Sequence, residues 1–213
     1  GGCVVPPPET LCALRQACDE HKALLIVDEI WTGLGRCGAW FDSVDQGVLP
    51  DVVCIGKALG GGFPISACMG RGRVMEAWGV QGGATLHTAT HFGAPLGCAV
   101  ALAVLRAIDE QGLVARARQL GLQWTLALRE RLDGSRCGVR EVRGRGLMVG
   151  IELHGGASRT LAVMRALLTR GYLVLTGGVA GDVLTLTPAL DIEESLLLGF
   201  AEVLEQVLVA CPC

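Results

Sequence analysis

A carboxylate and an amine close two short apolar runs in this chain, twenty-nine positions apart. The first run reads LLIVDEIWTGLGRCG (residues 24–38), and its aliphatic part ends at Asp28; the second reads DVVCIGKALGGG (residues 51–62) and ends at Lys57. Hydrophobic packing alone selects neither group. A lysine held out of water favours the uncharged amine, which condenses with an aldehyde, and a nearby acid keeps a ring nitrogen protonated so that the ring draws electrons. Taken singly, Lys57 also reads as a strand-end lysine whose head reaches water, and Asp28-Glu29 as a pair of helix-capping or solvated acids. Together they predict a buried acid and a buried amine at the carboxyl ends of neighbouring parallel strands, where open α/β sheets bind ligands. Gly60, Gly61 and Gly62 leave room for backbone to approach closely.

Spacing predicts the elements that would position this pair. Pro6-Pro7-Pro8 stiffens the start, and a helix is predicted from Glu9 or Thr10 through His21, with Leu11, Leu14 and Cys18 on one face. Residues 24–27 and 52–55 are continuous apolar runs with β-branched members, the pattern of strands buried on both faces; residues 65–69 form a third candidate. A glycine-rich, irregular stretch covers 70–89. Pro95 opens a helix to about Gln111, and a second helix, 113–132, connects to the C-terminal part of the chain. Beyond Gly134 the predicted order is strands at 139–142 and 147–153 around Gly144-Arg145-Gly146, a helix at 159–169, strands at 172–175 and 183–186, and a closing amphipathic helix at 192–209. The reading is an α/β chain: a parallel α/β part over 1–110, a connecting helix over 111–134, and a small α+β domain over 135–213.

Bulk properties narrow the partners. The chain has 213 residues, 51% hydrophobic and 18% charged, with a net charge of −3 and no block of like charge. That excludes a disordered chain and argues against nucleic acid or an anionic membrane as the main partner. No run of 18 uncharged apolar residues spans a bilayer, and the opening GGCVVPPPET lacks the regions of a signal peptide, so a cytoplasmic location is expected. The high apolar share points to a subunit interface. The ten cysteines include no C-x-x-C pair and sit largely within apolar runs, which reads as reduced thiols in the core. Cys211 and Cys213 make a weak metal site at most, and His87 and His91 lack a third ligand at suitable spacing, so no metal is assigned.

The two strings, with their spacer, resemble the signature of class III pyridoxal phosphate-dependent aminotransferases of fold type I: apolar-apolar-x-D-E-[IV]-x-x-G-[LF]-G-R-x-G, then D-apolar-apolar-x-x-G-K-A-[LI]-G-G-G. A third segment, HTATHFGAPLGCA (residues 87–99), is similar to the family's T-x-x-G-N-P-[LV]-[AG]-C-A, and RGRGLMVGIEL (residues 143–153) resembles a strand of its C-terminal domain. The resemblance implies the C-terminal part of the fold type I large domain, a mostly parallel sheet with helices, followed by a small α+β domain. It implies pyridoxal 5'-phosphate as cofactor, with Lys57 as the Schiff-base lysine and proton shuttle, Asp28 as partner of the pyridine nitrogen, Ile30 against one ring face, and Thr90 on the phosphate across a homodimer interface. A hydroxyl near the helix start at Pro95 suits an anion. The implied reaction is transamination, from an amine or amino acid donor to a keto acid or aldehyde.

Departures from the family bear on specificity. Trp31 stands where many members carry a glutamine that bonds the cofactor's ring hydroxyl; its indole can donate but not accept. Ala94 replaces the usual asparagine. In LTLTPAL (residues 184–190), Thr185 stands where α-amino acid enzymes place an arginine that clamps the α-carboxylate, and Ala189 replaces the second proline. Losing that bidentate grip favours an amine or ω-amino acid donor. No small-residue phosphate loop of the family's N-terminal section is present, so part of the sheet is expected to be absent, leaving an exposed edge. Arg36 is expected to pair with an acid. Two other readings stay open: a racemase or epimerase of the same family, and a truncated non-catalytic fragment.

Overall fold

The computed structural model describes residues 1–77, 89–132 and 137–211. The chain forms two compact units, one of Pro7–Gly35 and Ala39–Val114, the other of Gly1–Pro6, Arg36–Gly38 and Ala115–Cys213.

The first unit begins with α1 (Glu9–Glu20), started at Pro8 and closed at His21, whose N–H bonds Ala17 O. It continues through β1 (Ile26–Asp28), α2 (Asp42–Asp45), β2 (Val52–Ile55), a 3₁₀ turn (Lys57–Gly60), β3 (Ala67–Gly70), α3 (Gly72–Met75) and α4 (Pro95–Glu110). The sheet order is β1-β2-β3. β1 runs parallel to β2, with Ile26 opposite Val52 and Asp28 opposite Cys54. β3 runs antiparallel to β2. The sheet is therefore mixed: eleven residues with no α-helix separate β2 from β3, short of the dozen or more that a parallel crossover needs.

The prediction that residues 24–27 are buried on both faces is corrected. Leu25 is buried, but Ile26 is 61% exposed and Leu24 lies open as well. β1 is an edge strand, so no strand covers its outer side among the described residues.

Asp51 fastens this unit. Its carboxylate is 1% exposed and accepts from Leu25 N (3.0 Å), Arg15 Nη1 (2.6 Å) and Arg73 Nη2 (2.7 Å). The Leu25 amide and the Arg15 guanidinium hold it well below the usual carboxylate range. One acid at the head of β2 thus joins α1, β1 and α3.

The second unit holds α5 (Leu113–Leu132, from Ala115 on), β4 (Val139–Arg145), β5 (Met148–Leu153), α6 (Gly156–Leu168), β6 (Leu175–Gly177), β7 (Val183–Leu186) and α7 (Glu194–Ala210). Its sheet is antiparallel throughout, in the order β4-β5-β7-β6. Leu128 and Leu132 of α5, Val163 and Leu167 of α6, and Leu204 and Leu208 of α7 pack with Val149, Ile151 and Leu184 of the sheet in one buried core. Trp124 joins it and donates its indole N–H to Leu197 O (3.2 Å). α5 approaches the β4–β5 turn so closely that a Cβ on Gly121 would lie 2.0 Å from Gly146 O.

Arg36 does not pair with an acid as expected. Its Nη1 donates to Leu147 O (3.0 Å) and Pro188 O (2.6 Å), and Leu147 N returns a bond to Arg36 O (2.9 Å). Burial among carbonyls lowers its pKa. Arg159 is held the same way, donating to the carbonyls of Cys137, Gly138, Leu208 and Cys211.

Candidate active site

β1 and β2 are parallel, so their carboxyl ends share one edge of the sheet. Asp28 is the last residue of β1, level with Cys54; Lys57 lies two residues beyond the end of β2 and opens the 3₁₀ turn. The structure therefore brings Asp28 and Lys57 to the same edge. It does not bury them. Both are exposed, because β1 lies at the sheet edge and Lys57 stands beyond the last paired residue of its strand.

Short-range geometry orients each group. Asp28 Oδ1 accepts from Ile30 N (2.9 Å), a turn within three residues that fixes the carboxylate's direction. Ile30 packs on the backbone before the lysine: a Cβ on Gly56 would lie 3.5 Å from Ile30 Cγ2. Lys57 adopts φ +43°, the left-handed region that side-chain-bearing residues rarely occupy. Its ammonium lies over the Trp31 indole, 5.2 Å from the ring centroid, a cation–π contact. Gly61 closes the turn at φ +52°, where a Cβ would come within 2.8 Å of Val104 on α4.

Glu29 is the residue that sequence reasoning left without a role of its own. It is 1% exposed and accepts from Thr32 Oγ1 (2.8 Å), Asp42 N (3.0 Å) and Ser43 N (2.7 Å), while its own amide donates to Cys54 O (2.9 Å). Asp28 faces out and Glu29 faces in, as consecutive residues of an extended segment must. The inner acid caps α2 and so anchors the loop bearing Ile30 and Trp31. That alternation was the available signal.

Thr90 lies exposed in a turn ahead of α4, in which Phe92 N bonds Ala89 O (3.0 Å) and Ala94 N bonds His91 O (3.2 Å). Nothing in the described contacts ties it to Asp28 or Lys57 within one chain. His87, Pro212 and Cys213 fall outside the described residues. Thr185 is buried in β7, with its Oγ1 2.7 Å from where a Cβ on Gly177 would lie. Among the described residues, no group of three or more His, Cys, Asp or Glu side chains is placed to hold a metal, and no helix is long and apolar enough to cross a membrane.

An amine and a carboxylate on adjacent parallel strand ends, with an aliphatic side chain between them on open backbone, suit an aromatic aldehyde carrying a ring nitrogen. The chain belongs to the class III aminotransferases, pyridoxal phosphate-dependent enzymes of fold type I, whose family profile matches residues 1–208. It is 38% identical over 207 residues to acetylornithine aminotransferase of Methanosarcina mazei, covering 97% of this chain and 49% of that protein. It is 42% identical over 190 residues to ornithine aminotransferase of Bordetella pertussis, covering 89% and 44%.

Solved structures agree. Ornithine aminotransferase of Toxoplasma gondii, described with partial occupancy of PLP at its active site, matches with a TM-score of 0.87 at 35% identity, over 97% of this chain and 48% of that one. An amine transaminase from an uncultivated Pseudomonas species, in PLP-bound form, matches with a TM-score of 0.90 at 30% identity, over 99% and 50%. The chain spans about half the length of the curated relatives it matches. These relatives are transaminases, which does not favour the racemase reading.

Proposed function

We propose that this chain is the lysine-bearing portion of a transaminase that moves an amino group from an amine or ω-amino acid to a keto acid or aldehyde. The observation that carries the reading is the parallel pairing of β1 with β2, which sets Asp28 and Lys57 at one sheet edge. The names of the relatives support an ornithine-like donor. In acetylornithine the α-amine is blocked, leaving the distal amine to react. Thr185, in place of an α-carboxylate-clamping arginine, agrees with a donor that reacts at its far end.

When bound, pyridoxal phosphate supplies an aldehyde for covalent capture and a ring that takes up electrons from the substrate carbon. Lys57 is the residue that holds it covalently. With substrate in place, Lys57 Nζ would be the group that takes the proton from the substrate carbon bearing nitrogen and delivers it onward. Asp28 holds the proton on the ring nitrogen, its carboxylate aimed by Ile30 N. Ile30 covers one ring face, and the Trp31 indole N–H is available as a donor. Thr90 grips the phosphate of the other subunit's cofactor in a homodimer. The unit of residues 7–35 and 39–114 is part of the cofactor-binding domain, and the unit of residues 1–6, 36–38 and 115–213, with α5 in its core, is the small domain.

Adding pyridoxal phosphate to the full-length protein, followed by borohydride reduction and peptide mapping, tests the assignment. Label is expected on Lys57, with loss of the cofactor's visible band when ornithine is added. Label spread over other lysines would overturn it. The half-length match favours a second reading, a partial chain that binds cofactor only with further residues; a folded 213-residue chain that takes no label while a longer form does would establish it.

A further inference from the structure

Cys54 and Cys68 face each other across β2 and β3 in register. Successive residues of an extended strand turn their amide and carbonyl to opposite sides. Cys54 turns its carbonyl toward β1, where Glu29 N donates to it (2.9 Å). Three positions earlier, an odd step, Asp51 turns its carbonyl to the other side and accepts from Arg71 N (2.9 Å). Cys54 and Cys68 are thus a non-hydrogen-bonded pair, the narrow kind, with Cα atoms about 4.5 Å apart. Disulfides span Cα separations of about 4.4–6.8 Å, so this pair closes without moving backbone. Directly opposed residues also share a face of the sheet. Asp28, level with Cys54 on β1, extends the row to a third strand.

We propose that Cys54 and Cys68 form a reversible cross-strand disulfide that encloses the Lys57 segment and slows cofactor capture. The residues between them comprise the 3₁₀ turn, Gly61, Gly62 and the return to β3, and Lys57 is among them. Cys68 is the exposed thiol and Cys54 the half-buried one. Burial, the facing Cys68 and the Asp28 charge push the Cys54 thiol up, which leaves the first attack to Cys68. The oxidant is a low-molecular-weight disulfide, RSSR. The Cys68 thiolate attacks one sulfur and expels RS⁻, giving a mixed disulfide. The Cys54 sulfur then attacks Cys68 Sγ and expels the second RS⁻. The two thiol protons pass to the leaving groups, so the protein dithiol loses two electrons and RSSR becomes two RSH.

The disulfide stands on geometry alone; its effect on Lys57 rests on the proposed cofactor role. Full-length protein is equilibrated in mixtures of reduced and oxidised glutathione, alkylated and mapped by mass spectrometry. A linked peptide pair containing Cys54 and Cys68 is expected, lighter by two hydrogens and absent in Cys54→Ser and in Cys68→Ser. The same samples are mixed with pyridoxal phosphate. Oxidised protein should label at Lys57 several-fold more slowly than reduced protein, recover on reduction, and show no such difference in either serine variant. Finding both cysteines alkylated at the oxidising limit overturns the disulfide. A linked peptide with an unchanged labelling rate overturns the control of Lys57. No labelling of reduced protein sinks the cofactor reading instead, and the peptide map still decides the disulfide.

Discussion

At Lys57 the backbone sits at φ +43°, and the amine rests on Trp31 rather than in a dry pocket. Its reach comes from its place beyond the strand end. Lys57→Ala is therefore expected to abolish borohydride-trapped cofactor and to cost transamination about 10²–10⁴-fold as lost proton transfer, read from single-turnover kinetics. Asp28→Asn keeps the bond from Ile30 but loses the charge. It should weaken cofactor binding about 10–100-fold, the worth of one charge-assisted hydrogen bond, measured by visible titration. The acid–amine pair was legible because its residue types are costly in apolar runs. Its exposure was not, since a run of Leu, Ile and Val looks the same whether a strand is central or at an edge. Alternation says that one of two adjacent acids in a strand turns inward but not which, so the role of Glu29 stayed hidden.

Long helices were legible, and so were short strands with a continuous apolar run. β7 and α5 match their predicted spans, and α1, α4 and α7 differ by a residue or two at their ends. The four-residue helices α2 and α3 escaped notice because one turn has no periodicity, and both depend on distant acids, Glu29 and Asp51, for their anchoring. Asp51 makes that dependence measurable. A folded-state carboxyl held below its unfolded value of about 3.9 contributes stability above that pH and loses it as pH falls. Urea midpoints of the wild type should decline as the solution is acidified below about pH 4, and Asp51→Asn should flatten that decline. At neutral pH the same variant should lose about 1.5–3 kcal/mol. Gly121→Ala forces a methyl against Gly146 O and should cost about 1–3 kcal/mol or more by the same assay.

At the scale of the whole molecule, the family resemblance and the α/β class were open to sequence reading, and no described strand covers the outer side of β1. Arg36 could not have been placed from sequence: arginine next to glycines predicts a charged partner, yet carbonyls 111 and 152 positions away receive it. Its grouping has a topological consequence. Residues 36–38 cluster with Ala115–Cys213, and so do the first six, whose Gly2 carbonyl accepts from Arg143 (2.8 Å). The polypeptide is stitched rather than joined at one hinge. A single protease nick after Val114 would leave the later fragment without Arg36 or Gly2, so Leu147 and Pro188 would lose the Arg36 bonds and Arg143 would lose its bond to the Gly2 carbonyl. Scissors at that one point cannot yield two intact halves, and recombinant pieces cut there should fold worse than their cores alone suggest.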